Sequence, residues 1–232
     1  MTGVWKRVMM VQVFSRVRGA LLAAVCVAVL SGCAGNVAPE VKRLPERVEL
    51  SGTFYRGEAN QSGPQVLASL LSQQGIVITP GLLEKPLHLP GAEDRLQQNM
   101  QNLAREYGLV VYPLDSKLPA LLTQVAAGYP VMVRFSEGST FWAEPRYAIL
   151  SGYDRNKQKV LLRAGMNRRQ LMDFGSFEAA LDKAGGWAIL IQKPSQIPAS
   201  VDRSRWLKAA DELAQAGEEN AAAQARKALA AQ

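Results

Sequence analysis

The sequence predicts an α+β protein in which helices come first, a mostly antiparallel sheet follows, and a helical hairpin ends the chain. Three observations support this prediction. Apolar residues recur at helical spacing in the first half, and they alternate or form short runs in the second half. After residue 198 the composition shifts to alanine, glutamate and lysine. Helices followed by strands are the order of an α+β domain.

The composition is that of a globular protein. The chain has 232 residues, of which 48% are hydrophobic and 20% charged, which excludes a disordered protein and allows one or two domains. The two cysteines, Cys26 and Cys33, both lie near the N-terminus, and His88 is the one histidine of the sequence. These counts exclude a Cys/His zinc site. We expect neither a metal nor a cofactor.

Residues 1–32 have the pattern of a secretory signal peptide. A basic segment without acids, residues 1–18, precedes a uniformly apolar stretch at 20–30 that is too short to be a stable membrane span. The stretch ends in Leu-Ser-Gly-Cys at 30–33, which resembles a bacterial lipobox. The resemblance implies that Cys33 receives diacylglycerol and becomes the new N-terminus. The alternative is a plain signal peptide with an incidental cysteine.

The residues after Cys33 bear on location and charge. No aspartate follows the cysteine, a pattern that resembles Gram-negative lipoproteins sorted to the outer membrane, so we expect a lipid-anchored protein facing the periplasm. Cleavage would lower Lys plus Arg from 27 to 23 against 20 acids, which leaves about +3. This weak charge gives no ground for nucleic-acid binding. Residues 33–48 have few large apolar residues and are predicted to form a tether.

Four helices are predicted in the first half of the mature chain. The first begins at Ser62, which can serve as its N-cap, with Gln65 in the capping-box position. Three further helices follow, and the residues that can cap or start them are Thr79, Asp94 and Ser116.

The strands are predicted from alternation and short apolar runs. The predicted strand segments are residues 109–112, 131–135, 147–150, 159–162, 169–174 and 187–191. A polar turn at 154–158 predicts a hairpin, and a helix around 177–184 separates the last two strands. The pair Arg168-Arg169 is expected in a solvated strand or turn.

The C-terminal segment, residues 199–232, follows a PSQIP linker at 194–198 and predicts two helices around Gly217. This pair resembles one tetratricopeptide unit, although Arg226 stands where an aromatic residue is usual. One such unit cannot form a solenoid alone. A hairpin packed on the main domain, residues 49–198, is therefore an equally open interpretation.

Residues 53–68, TFYRGEANQSGPQVLA, resemble the nucleophile segment of the bacteriocin-processing, papain-like cysteine peptidases that cleave after double-glycine leaders. In that family an aromatic residue, a glutamine and then Cys-Gly-Pro open a helix. AREYGL at 104–109, VAAGYPV at 125–131 and RYAI at 146–149 match further segments. The resemblance covers about residues 50–198, and within the family the sequence looks closest to an exported lipoprotein branch. It implies a papain-like fold, with N-terminal helices packed on a mostly antiparallel sheet.

The same resemblance implies that the catalytic residues are lost. Ser62 stands at the family's cysteine and Arg146 at its histidine, while Gly57 falls on or near the oxyanion glutamine and Ala164 near the acid that orients the histidine. A serine hydroxyl needs a general base, and a guanidinium cannot be one. We therefore predict a catalytically inactive peptidase-like protein. These four residues are called the vestigial positions below.

Three functions remain open from the sequence. The first is binding of a peptide or protein in the periplasm, with Arg146 making the former active site cationic and the aromatic residues Phe141 and Trp142 lining a groove or packing in the core. The second is an active hydrolase that uses Ser62 or a divergent base. The third is an adaptor acting through the C-terminal helices. His88, in the proline-bounded loop 86–90, is expected to be a surface or packing residue.

Overall fold

The computed structural model of the protein describes residues 38–58, 61–138 and 144–232. Its strands are β1 (Arg47–Glu49), β2 (Val110–Pro113), β3 (Val131–Glu137), β4 (Glu144–Asp154), β5 (Lys159–Ala164), β6 (Asn167–Asp173) and β7 (Ala188–Gln192). They form one seven-stranded sheet in the order β2-β7-β3-β4-β5-β6, with β1 also paired to β4. The recorded strand pairs are antiparallel.

Eight helices are found in the same residues. They are α1 (Pro39–Lys42), α2 (Ser62–Gln73), α3 (Pro80–Glu84), α4 (Leu96–Glu106), α5 (Leu118–Ala126), α6 (Phe174–Lys183), α7 (Arg203–Gln215) and α8 (Glu219–Ala230). The predicted α+β class is confirmed, with N-terminal helices on a mostly antiparallel sheet and a hairpin of helices at the end.

Helix α2 is the element that positions the vestigial site. Its residues from Ser62 to Leu71 are all buried, and Leu67 and Leu71 share a core cluster with Met100 of α4 and Ile149 of β4. Full burial of one such side chain contributes about 1.5–3 kcal/mol. Helices α5 and α6 contact β4 and β3. Strand β4 is therefore central, as its continuous apolar run predicts.

Part of the predicted tether belongs to the folded domain. Val41 of α1 is fully buried, and Val48 of β1 pairs with Tyr153 of β4. The backbone N–H of Arg155 also donates to the carbonyl of Glu46, at 2.8 Å. Composition predicts a tether here because strand pairing uses backbone groups, which a count of apolar side chains does not register. Residues 39–232 form one compact unit.

The predicted helix starts are only partly correct. Thr79 is the N-cap of α3, as predicted. Ser62, however, is the first helical residue of α2 and Gln61 holds the cap position, because the Ser62 hydroxyl is used in a tertiary contact instead. Asp94 lies in a 3-10 turn, Glu93–Arg95, ahead of α4. Lys117, rather than the predicted Ser116, holds the N-cap position of α5, without a capping hydrogen bond from its side chain.

The C-terminal hairpin packs on the main domain. Trp206 of α7 is fully buried, lies 6.0 Å from the ring of Tyr112 on β2, and donates its Nε1–H to the carbonyl of Ala225 on α8, at 2.9 Å. Arg105 of α4 also pairs with Glu212 of α7. Of the two interpretations from the sequence, the structure shows the packed hairpin.

The helices of the described ranges do not combine the length and the apolar character that crossing a membrane requires.

Candidate functional site

Ser62 and the strand that carries Arg146 meet at the N-terminal end of α2. Ser62 is 4% exposed, and its Oγ accepts a hydrogen bond from the backbone N–H of Tyr147, at 3.2 Å. Tyr147 directly follows Arg146 on β4. The structure thus brings together the elements that carry the family's nucleophile and histidine positions.

The phenol of Tyr147 is not a proton acceptor at neutral pH. Burial raises the pKa of Tyr147 to about 12, although the charge of Arg134 acts in the opposite direction. Its ring packs edge-on against Trp187, with 5.7 Å between the centroids. The phenol therefore stays protonated at neutral pH, and the ring is part of the hydrophobic core.

Arg146 is bound to a carboxylate. Its NH1 lies 2.8 Å from Oε2 of Glu137 on β3, and the other carboxylate oxygen accepts from Nε2 of Gln170 on β6, also at 2.8 Å. The side chains of Arg146 and Glu137 are each 30% exposed. The expectation that Arg146 makes this site cationic is corrected, because Glu137 compensates its charge. The sequence does not reveal this partner, since the pairing depends on the register of β3 and β4.

Gly57 lies against the side chain of Gln65, which the sequence predicts in a capping box. A Cβ atom on Gly57 would lie 1.6 Å from Nε2 of Gln65. Gln65 is 4% exposed, and its Oε1 has no hydrogen-bond partner within the described ranges. Gln65 thus fills the space next to Gly57 rather than closing a capping box. In the sequence, the position of Gln65 one helical turn after Ser62 indicates that its side chain could reach the same end of α2.

Ala164 ends β5 beside the same segment. It is 4% exposed and pairs with Asn167 of β6. The backbone N–H of Gly57 donates to the carbonyl of the next residue, Gly165, at 3.3 Å. The segments of Gly57 and Ala164 therefore lie side by side, and neither residue has a polar side chain that could stabilise an oxyanion or orient a base.

Activation of a serine hydroxyl as a nucleophile requires a neighbouring proton acceptor, as in a Ser/His pair. The side-chain hydrogen bond recorded for Ser62 Oγ is to a backbone amide, which is a donor. His88 is exposed in the loop after α3, as predicted. Within the described residues there is also no cluster of three His, Cys, Asp or Glu side chains that could hold a metal ion.

Three predicted site residues lie outside the described residues. They are the lipidation candidate Cys33 and the two groove candidates Phe141 and Trp142. Their roles stay predictions.

No family model matches the sequence, and no curated protein matches it. Several solved structures are similar. A C39-like peptidase from Bacillus anthracis shares 16% identity at a TM-score of 0.49, over 64% of this chain and 98% of its own. A double glycine motif protease from an AMS/PCAT transporter, solved with its leader peptide, shares 12% identity at a TM-score of 0.45, over 62% of this chain and 94% of its own.

The third is the peptidase domain of Streptococcus ComA, a bi-functional ABC transporter involved in quorum sensing. It shares 15% identity at a TM-score of 0.43, over 60% of this chain and 97% of its own. The three matches each cover about three-fifths of this chain.

Proposed function

We propose that this protein is an exported lipoprotein whose peptidase-like domain lacks catalytic activity and binds a peptide or protein partner in the periplasm. The observation that carries the proposal is the position of Ser62. Its hydroxyl is buried and accepts a backbone N–H from Tyr147, while the side chain at the histidine position, Arg146, is tied to Glu137. Among the described residues no hydrogen-bond acceptor is found for this hydroxyl, and a serine needs a proton acceptor to become a nucleophile.

The fold does not depend on the lost chemistry. The buried residues that join α2, α4 and the sheet are aliphatic and aromatic side chains, and their packing does not use catalytic groups. A peptidase-like surface can therefore persist after activity is lost, because fold does not fix function. This supports binding as the role that remains.

The mature wild-type protein and its Ser62→Ala variant should give the same turnover of a random peptide library, equal to that of a blank. Groups that act as a unit are not additive, so the loss of several costs little more than the loss of the essential one. The measurement is mass spectrometry of the library after long incubation. If the wild type cleaves and Ser62→Ala does not, the hydrolase alternative is correct.

A repaired variant provides the matched control for this assay. Ser62→Cys with Arg146→His restores a thiol and an imidazole, but Gly57→Gln would collide with Gln65, whose Nε2 lies 1.6 Å from the position of the new Cβ. Oxyanion repair therefore requires Gln65→Ala in the same chain. Trace cleavage by this set and none by the wild type would localise the loss to these positions.

The anchoring part of the proposal rests on the Leu-Ser-Gly-Cys sequence at 30–33. We expect the protein isolated from its native host to begin at Cys33 and to carry acyl chains, and Cys33→Ala to abolish their attachment. Two or more chains would give a stable anchor, whereas one chain binds membranes only marginally. Intact-mass measurement decides, and an unmodified Cys33 in the wild type would refute anchoring.

An adaptor role for the C-terminal hairpin is the second candidate. It is favoured by a groove of about 570 Å³ between α4 and α7. The groove is lined mainly by polar side chains, among them Gln98, Gln101, Asn102, Arg105, Glu212 and Gln215. Because the hairpin covers Tyr112 and pairs with Arg105, its deletion would disturb the main domain and is a poor test.

Site-specific photo-crosslinking separates the two candidates. A photoreactive residue is placed in the native lipoprotein either at Glu144, which is exposed two positions before Arg146, or at Gln215, which is exposed beside the groove. Capture of a partner from Glu144 alone supports binding near the vestigial site. Capture from Gln215 alone supports the adaptor.

A further inference from the structure

A second pocket lies between the chain that follows β1 and the strands β5 and β6. Its volume is about 310 Å³. It is lined by two leucines, Leu50 and Leu161, and by polar and charged residues, Glu49, Ser51, Arg163, Arg168 and Arg169. No vestigial position lines it, so its chemistry is separate from that of the site above.

Arg163 forms a buried wall of this pocket. It is 5% exposed, and its NH2 donates to the carbonyl of Leu50. Its NH1 is buried and has no acceptor in the part of the chain that the structure describes. Burial is the main cause that lowers the pKa of Arg163, followed by the charge of Arg168, while Glu49 acts in the opposite direction. A buried cation is costly unless it is paired.

The positive charge of Arg163 is not compensated by Glu49, because other arginines bind that carboxylate. Glu49 receives two bonds from Arg169, at 2.7 and 2.9 Å, and one from Arg47, at 3.0 Å, which lower the pKa of Glu49 to about 2. Within the described ranges no carboxylate lies within 4.0 Å of Arg163 or Arg168. Three guanidinium groups and one carboxylate thus line the pocket, and that carboxylate is already bound by Arg169 and by Arg47, which lies outside the lining.

A second buried donor without an acceptor among the described residues lies near Arg163. Nε2 of Gln73, at the end of α2, is buried and lacks an acceptor in the described ranges. A Cβ on Gly52 would lie 1.7 Å from this nitrogen and 3.0 Å from NH1 of Arg163. The two donors without acceptors therefore both adjoin Gly52, in the segment that covers Arg163.

We propose that this pocket binds a phosphate-type oxyanion, presented either by a soluble phosphate ester or by a phospholipid headgroup. Guanidinium groups bind phosphate oxygens through paired N–H donors. A phosphate monoester carries up to two charges and several acceptors, whereas a lone carboxylate would neutralise one of the two excess positive charges of the lining. Arg168 and Arg169 are exposed at the pocket, which leaves it open to both sources.

Titration of the mature protein with inorganic phosphate tests the proposal. The measurement is the shift of Tm with phosphate, against chloride at equal ionic strength, since a ligand that binds the folded state stabilises it. Arg168→Gln removes an exposed pocket arginine and is expected to weaken phosphate binding at least tenfold, or about 1.4 kcal/mol. The matched control is Arg95→Gln, an equal charge change at an exposed residue outside the pocket.

Arg163→Lys provides a second variant, because it keeps the charge but loses the paired donors, and it should also weaken binding. Sedimentation of the mature protein, produced without its acyl chains, with phosphatidylglycerol vesicles distinguishes the sources, because an acylated protein would bind any vesicle through its anchor. Vesicle binding that Arg168→Gln abolishes and phosphate competes away indicates a headgroup, and phosphate binding without vesicle binding indicates a soluble ester. The proposal is overturned if phosphate gives the wild type no more stabilisation than chloride, or if Arg168→Gln and Arg95→Gln weaken binding equally.

Discussion

Replacing Trp206 by alanine should lower the free energy of unfolding by about 3–5 kcal/mol, the range for removing a large buried aromatic side chain. Trp206 is fully buried, contacts Tyr112 of the main domain and donates to the carbonyl of Ala225. The substitution therefore removes contacts on both sides of α7 and leaves that carbonyl without its donor. Urea unfolding, followed by far-UV circular dichroism, measures the loss.

Leu207→Ala is the matched control for this variant. Leu207 is the next residue of α7 and is 40% exposed, so its truncation should cost far less. Similar losses for the two variants would show that the hairpin gains no stability from docking on β2. The adaptor alternative would then gain support, because the hairpin would be an independent attachment.

Replacing Gly152 by alanine should destabilise the protein by about 1–3 kcal/mol, as expected for overpacking. A Cβ at this position would lie 2.4 Å from the carbonyl oxygen of Val48 and 3.1 Å from Cα of Glu49. Both are backbone atoms of β1 and cannot turn aside as a side chain can. We therefore expect β1 to leave β4, with new protease cleavage in residues 39–49.

Gly175→Ala is the control for the glycine change. Gly175 lies in the first turn of α6, and an added Cβ there would have no atom within 4 Å. Alanine should therefore stabilise the protein by about 0.4–1 kcal/mol, because it restricts the unfolded chain. Opposite signs for the two variants are the expected result, and two stabilising substitutions would refute close packing at Gly152.

The sequence predicts regular elements better than it predicts their ends. The apolar run in β4 and the stripe in α2 are strong signals, because burial of a whole face requires them. Ser62 and Asp94 look like caps because their side chains are able to cap, but tertiary contacts decide whether they do. Residues 39–49 are missed because a short strand can be held by backbone pairing alone.

The site is predictable in its positions but not in its partners. The motif around Ser62 and Arg146 places both residues at the junction of α2 and β4, where the structure finds them. Glu137 and Gln65 are not predicted as residues of the site. Glu137 comes beside Arg146 through the register of β3 and β4, and Gln65 fills the space that the missing side chain of Gly57 leaves. Arg163 looks like an ordinary strand residue until its burial is known.

The pairing of β1 with β4 also has a mechanical consequence. A pull on the N-terminal chain first meets α1, which is held by few contacts around Val41. Release of residues 39–46 would give about 27 Å of extended chain at about 3.4 Å per residue. The pull would then act on β1 along its own axis and load its hydrogen bonds to β4 in shear. Residues 39–46 would thus extend under load, whereas the pairing of β1 with β4 at Gly152 would resist further extension.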